Sequence, residues 1–273
     1  MLSANEFRDN LRLRYNLQPL DMPQLCDGCG TRMTVEHALS CKCGGLVHIR
    51  HDETGGEWRN LCGKATTFGR VTREPRIYSS VSSRVSIGAN PATATTTTPV
   101  ETANSTTPPN PSNNNTTTAN RVVTEERGDG SCYGFWEPHR DCIFDIRITD
   151  TESRSNRNKD LDKVLARHEK EKKDKYLRKC HEERKDFTPM VYSVDGIAGR
   201  EARSAEKHLA TFLAEKWNKG YPEMVFYVRV RMALAVVKAN SLLIRGSRDC
   251  ERPRRPQVSD RASMYNWHAD QRR

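Results

Sequence analysis

The chain lacks any apolar run approaching the ~18–20 uncharged residues that a membrane-crossing helix needs, so no spanning helix and no membrane partner are expected. It is also short of hydrophobic residues. They make up 35% of its 273 residues, against the usual ~45–50% of a globular chain when glycine is counted too. Part of it is therefore expected to stay unpacked. The opening residues, Met1-Leu-Ser-Ala-Asn-Glu-Phe-Arg-Asp9, lack a basic stretch followed by an apolar one, so no secretory leader is expected. No Gly-x4-Gly-Lys-Ser/Thr loop occurs, Gly44-Gly45 reads as a turn, and no serine sits in a nucleophile elbow. Phosphate-loop and serine-hydrolase chemistry have no sequence support.

What is present is basic charge and cysteine. Lys and Arg number 45 against 35 acids, a formal net charge of +10. Such a chain attracts polyanions, and nucleic acid is the commonest of these in a cell. Nine cysteines, an odd number without an export signal, argue for thiols and metal ligands rather than a disulfide framework.

Composition separates four zones: 1–78, 79–120, 121–248 and 249–273. The second is a Thr/Asn/Pro tract with Glu101 its only charge from Ala89 onward, and it is expected to be a disordered spacer. The last is a short basic tail containing Arg-Pro-Arg-Arg-Pro. In the first zone, Ser3-Ala-Asn-Glu6 is a capping box, and Phe7, Leu11 and Tyr15 recur at helical spacing, which predicts a helix over 4–16. A second helix is expected over 53–64, with Gly55-Gly56 weakening its start. In the third zone, 142–149 alternates as a strand. Phe144, Ile146 and Ile148 are expected to face a core, and Ile143, Asp145 and Arg147 the opposite side. Residues 131–136 can pair with it as a hairpin. A charged helix is expected over 160–185, a strand over 187–194, and an amphipathic helix from about Ala202 that Gly220 caps. Residues 225–244 are apolar enough to be a buried strand or helix, and periodicity does not decide between them.

Cys26-Asp-Gly-Cys29 is followed by His37 and Cys41. Zinc takes four soft or borderline ligands at tetrahedral corners. A C-x2-C turn brings two thiolates to one side of an ion, and His37 and Cys41 can share one face of a helical turn. The closed shell of three thiolates and one imidazole predicts a structural Zn²⁺ site, with Cys43 as an alternative fourth ligand. Further along, Asp129 precedes the hairpin and could meet Asp145 across the sheet. Two carboxylates at one point hold Mg²⁺, which can activate water and neutralise phosphate charge. A lysine to orient that water could come from the helix bearing Lys172, Lys175 and Tyr176.

The order C-x2-C…His…Cys, Arg50-His51-Asp52, Glu74-Pro75, Phe144-Asp-Ile-Arg-Ile148 and Lys172-x2-Lys175-Tyr176 resembles the C-terminal region of proteins from non-long-terminal-repeat retrotransposons. There a CCHC zinc knuckle is followed by a restriction-like endonuclease of the PD-(D/E)XK class. The resemblance implies an α+β fold, a restriction-endonuclease-like core in which a small mixed sheet is flanked by helices, preceded by the knuckle and interrupted by the disordered insert. It implies Mg²⁺-dependent nicking of target DNA, a nuclear setting, and DNA, or RNA, as partner. Position by position, Asp129 and Asp145 match the metal acids and Lys172 or Lys175 the lysine, with Tyr176 beside it. Glu57 matches a supporting helical acid, and Arg50, His51 and Arg147 are nucleic-acid contacts. The chain departs from the pattern in two places. Gly128 stands where proline precedes the first acid. Arg147 stands where the strand lysine is usual, and arginine can clamp phosphate but hardly transfers protons. With no Asp-Asp pair anywhere, the polymerase box of a reverse transcriptase is absent. The alternative is an inactive, largely sequence-neutral nucleic-acid-binding module of the same ancestry.

Overall fold

A computed structural model describes residues 2–66, 70–77 and 126–249. The expected spacer at 79–120 and the tail beyond Asp249 lie outside the described residues. The segments on either side of the spacer belong to one compact unit.

Four strands form one sheet in the order β1-β2-β3-β4: Val71–Arg73, Gly130–Tyr133, Asp141–Thr149 and Asp186–Ser193. The first three pair antiparallel, and β3 and β4 run parallel. The expected hairpin is present, with Cys132 opposite Cys142, and its pairing stops at Gly130 opposite Phe144. Beyond that point β3 continues alone on its β2 side. The parallel step from β3 to β4 needs a long crossover, which the helix Leu161–Glu182 provides.

The described residues form six α-helices, α1 Ala4–Arg14, α2 Val35–Ser40, α3 Leu46–Ala65, α4 Leu161–Glu182, α5 Arg200–Trp217 and α6 Tyr221–Arg245, of which α3, α4 and α5 lie directly on the sheet. The mixed sheet and helical flanks fit the expected α+β class. Phe144 and Ile146 pack into the main core with Trp58 and Leu61 of α3, Leu209 of α5 and Val228 of α6. Trp58 meets Phe144 edge-on, ring centroids 5.3 Å apart. On the other face, Ile143 and Phe187 pack under Tyr176 and Cys180 of α4. The sheet is therefore covered on both sides. Asp145, expected on an open face, is 4% exposed.

The capping box forms at Ser3, whose hydroxyl accepts from Glu6 N while the Glu6 carboxylate accepts from Ser3 N. Helix α3 starts seven residues before the expected Glu53 and runs through Gly55-Gly56 without a break. A Cβ on Gly55 would lie 3.0 Å from Arg59 Nη1 and 3.2 Å from Ile146 Cδ1. The glycine lets helix and sheet approach closely. Asn218 in the left-handed conformation ends α5, and Gly220 instead stands before α6. The ambiguous segment 225–244 is helix, buried on more than one side against α3, α5, α1 and α2.

Glu206 of α5 is buried, and its carboxylate accepts the Tyr192 hydroxyl at 3.0 Å. Burial lifts its pKa from 4.5 to about 7. Between those values the native chain holds a proton that the unfolded chain has lost. Stability therefore falls as pH rises from 4.5 to about 7, by up to roughly 3 kcal/mol, and is level above that window. Denaturant unfolding across this range should show the slope, and Glu206→Gln should flatten it.

Candidate active site

Asp129 is locked to β3 on both sides of residue 145. Its backbone N donates to Phe144 O at 2.9 Å. Its Oδ2 accepts from Ile146 N at 2.5 Å. The carboxylate thus takes over the free edge of β3 where β2 ends. Oδ2 also lies 3.0 Å from His51 Nε2. Oδ1 has no protein donor among the described residues.

The Asp145 side chain points under α4, with Lys172 Nζ 2.6 Å from its Oδ2. That contact is an ion pair without a well-directed hydrogen bond, since the same oxygen has no partner of hydrogen-bond geometry. Burial raises the Asp145 pKa most. Lys172 opposes it, and the nearby Asp129 charge adds to the rise. Asp145 of β3 thus meets Lys172 of α4, while Asp129, one residue ahead of β2, is bonded to the β3 backbone on either side of Asp145.

The other expected residues divide. Lys175 Nζ donates to the Tyr176 hydroxyl at 2.7 Å. It sits 4.5 Å above the Tyr176 ring, and that hydrogen bond raises its pKa, with Asp145 adding a smaller contribution. Tyr176 itself packs on Phe187, ring centroids 5.6 Å apart. Glu57 is not at the carboxylates. It pairs with Arg231 of α6 at 2.7 Å, because six residues of helix turn it well away from the face that His51 occupies. Arg50 is no surface contact either. It is buried and donates to Leu39 O at 3.3 Å and Asn240 Oδ1 at 3.4 Å. His51 lies against Asp129 instead of standing free for nucleic acid. The Asp129 hydrogen bond holds its pKa above the ordinary histidine value, against the effect of burial. Arg147 is half-buried and donates to Glu171 Oε2 at 2.7 Å.

Arg59 was not anticipated. Its Nη1 donates to the backbone carbonyl of Asp129 at 2.8 Å, which holds that residue's main chain in place. The sequence signal was there: His51, Gly55 and Arg59 are spaced four apart, one helical face with a small residue at its centre.

Asp129 and Asp145 are near enough for their charges to act on each other, and carboxylate oxygens are the ligand type that hard divalent cations take. Asp129 Oδ1 has no donor among the described residues, whereas Asp145 Oδ2 faces the Lys172 ammonium.

The cysteine loop forms a second centre. Ligand atoms of Cys26, Cys29, His37 and Cys41 all lie within 4.8 Å of one another. Cys26 and Cys41 sulfurs are 4.0 Å apart, and Cys29 Sγ is 3.4 Å from His37 Nε2. Tetrahedral zinc with bonds near 2.3 Å sets its sulfurs about 3.8 Å apart, so these four residues are spaced to hold zinc. Cys41 belongs to this group and Cys43 stands outside it. Hydrogen bonds from Thr31 are the main cause that brings the Cys29 thiol down to about 6, which favours the thiolate that zinc binds. Among the described residues no helix is long and apolar enough to cross a membrane.

No known family model matches the chain, and no curated protein matches it.

Proposed function

We propose that this chain is a retroelement-derived, Mg²⁺-dependent DNA endonuclease that nicks duplex DNA, with a structural zinc knuckle. The observation that carries the reading is the meeting of Asp129, Asp145 and Lys172 at the end of β2. Here the Asp129 carboxylate takes the place of β2 at the edge of β3, and α4 covers the face that bears Asp145. Asp129 and Asp145 would hold the cation. Once bound, Mg²⁺ supplies Lewis-acid activation of the phosphate and a lowered pKa for a bound water.

The chain's own groups divide the remaining work. His51 and the Ile146 amide occupy Asp129 Oδ2 and Arg59 the Asp129 carbonyl, which leaves Oδ1 available to a cation. Lys172 is the group beside the reacting phosphate. It orients the attacking water and offsets charge that builds on the phosphoryl oxygens. Arg147, always protonated, binds phosphate and moves no proton. The basic surface provides largely sequence-neutral attraction to the DNA backbone.

Conversion of supercoiled plasmid to open circles in Mg²⁺ tests this. Wild type is expected to nick, Lys172→Ala to slow by roughly a hundredfold, and Asp129→Ala to stop. A wild type that binds DNA but never nicks, over a range of divalent ions, would leave only the binding-module reading.

A further inference from the structure

Arg147 and several groups that the proposed reaction does not otherwise use gather beside Asp145. Arg147 lies two residues along β3 on the same face. Its partner Glu171 is shared: Arg147 Nη1 donates to Oε2 at 2.7 Å, and Arg167 Nε lies 3.8 Å from Oε1. Arg167 Nη2 donates to Asn156 Oδ1 at 3.0 Å and meets His168 Nε2 at 3.4 Å. A guanidinium has no acceptor, so His168 Nε2 must accept. The ring proton then sits on Nδ1, which donates to Glu171 Oε2 at 3.1 Å. The imidazole is neutral in this arrangement, and the cluster has two guanidiniums against one carboxylate.

The frame is rigid. Asn156 is buried and pinned by its amide to Asp150 O at 2.9 Å and Ser153 Oγ at 3.1 Å. Yet Arg147 and Arg167 keep side-chain exposures of 35% and 43%. Partly exposed ion pairs contribute little to stability, and one positive charge stays unbalanced and open to solvent. Residues two apart on a strand are separated by roughly 6.6–6.8 Å, close to the step between neighbouring phosphates of a nucleic-acid strand.

We propose that Arg147 and Arg167, framed by Glu171, His168 and Asn156, form a subsite for the phosphate next to the one that is cut. This rests on reading Asp129 and Asp145 as the cutting centre.

The test is binding of a short fluorescent DNA duplex in Ca²⁺, titrated with KCl. Arg147→Gln and Arg167→Gln are each expected to reduce the slope of log K against log salt, and the paired variant by about one in all, since one phosphate is held. A paired variant that keeps the wild-type slope and instead loses thermal stability makes the cluster an internal frame and overturns the subsite. A second arm leaves the protein unchanged and places one uncharged methylphosphonate at successive positions of the duplex. One position is expected to weaken wild-type binding by roughly tenfold and to leave Arg147→Gln unaffected. Equal weakening at every position in both proteins also overturns it. The slope is read without cleavage. A protein that loses slope but never nicks removes the cutting centre and keeps an anion site. One that nicks with an unchanged slope removes the subsite alone.

Discussion

Asp145→Asn is expected to abolish Mg²⁺-dependent nicking, by roughly a thousandfold or more, without lowering the thermal midpoint of the free protein. The substitution keeps the shape of the side chain and removes its charge. That charge is held at an unfavourable place. Asp145 is 4% exposed beneath α4, and burial is the largest influence on it, with Asp129 adding like-charge repulsion. An asparagine there forgoes the cost of desolvating a carboxylate. The counter-argument is the ion pair with Lys172, since breaking a buried pair typically costs ~3–5 kcal/mol when one charge is stranded. Here the stranded partner is not trapped: the Lys172 side chain is 23% exposed, and its ammonium can turn to water. Two measurements therefore separate the roles. Nicking lost with the midpoint kept marks a carboxylate held for chemistry. Loss of both marks a structural ion pair, and retention of both places the chemistry elsewhere.

The elements that carry this site were legible to different degrees. Strand β3 could be read directly, because its alternation is strict, and α4 because its apolar residues keep one face among many charges. Parity along β3 correctly set Asp145 and Arg147 on one side. It could not show that α4 closes over that side, because the cover comes from Tyr176 and Cys180 of a helix some thirty residues on. Phase along α3 was the harder matter. Arg50, His51 and Glu57 are near in sequence, but one points to α2 and α6, one to Asp129 and one to Arg231. Only tertiary packing decides which face meets the end of the sheet. Helix α1 makes the point most sharply. Its apolar stripe, Phe7 at 58% and Tyr15 at 69% exposed, faces outward, while Asp9 is fully buried. Arg245 and Ser241 satisfy that aspartate from the far end of the chain, with Arg245 Nη2 2.6 Å from its Oδ1. No local pattern announces such a partner.

Stripping the metal from the cysteine loop is expected to lower the thermal midpoint by about 10 °C or more. The loss should spread beyond the loop. Helix α2 has only six residues and carries His37, with Cys41 at its C-terminal cap, so it is too short to hold itself. Two buried arginines satisfy its carbonyls: Arg248 donates to Ala38 O at 3.0 Å, and Arg50 to Leu39 O. Arg248 also reaches Leu243 O and Gly246 O at the end of α6. Its backbone N donates to Asp27, inside the Cys-x2-Cys turn, at 2.9 Å. A Cβ on Gly28 would lie 2.7 Å from Arg248 Cβ, so the turn is pressed against this arginine. Cys26, Met33, Ala38 and Cys41 pack with Ile244 in one small core. Hydrogen exchange after chelation should therefore rise at 26–41, at 240–249 and at the start of α3 near Arg50, and stay slow in β3 and β4. Cys41→Ser should reproduce it, and Cys62→Ser, buried but outside the cluster, should release no zinc. Fresh protein without zinc, or a chelated protein with its midpoint unchanged, would refute the site. A knuckle that merely hung from the chain as a nucleic-acid finger would lose its own protection and nothing more. The two buried arginines are why this one should take the end of α6, and the turn of α3 that presents His51, with it.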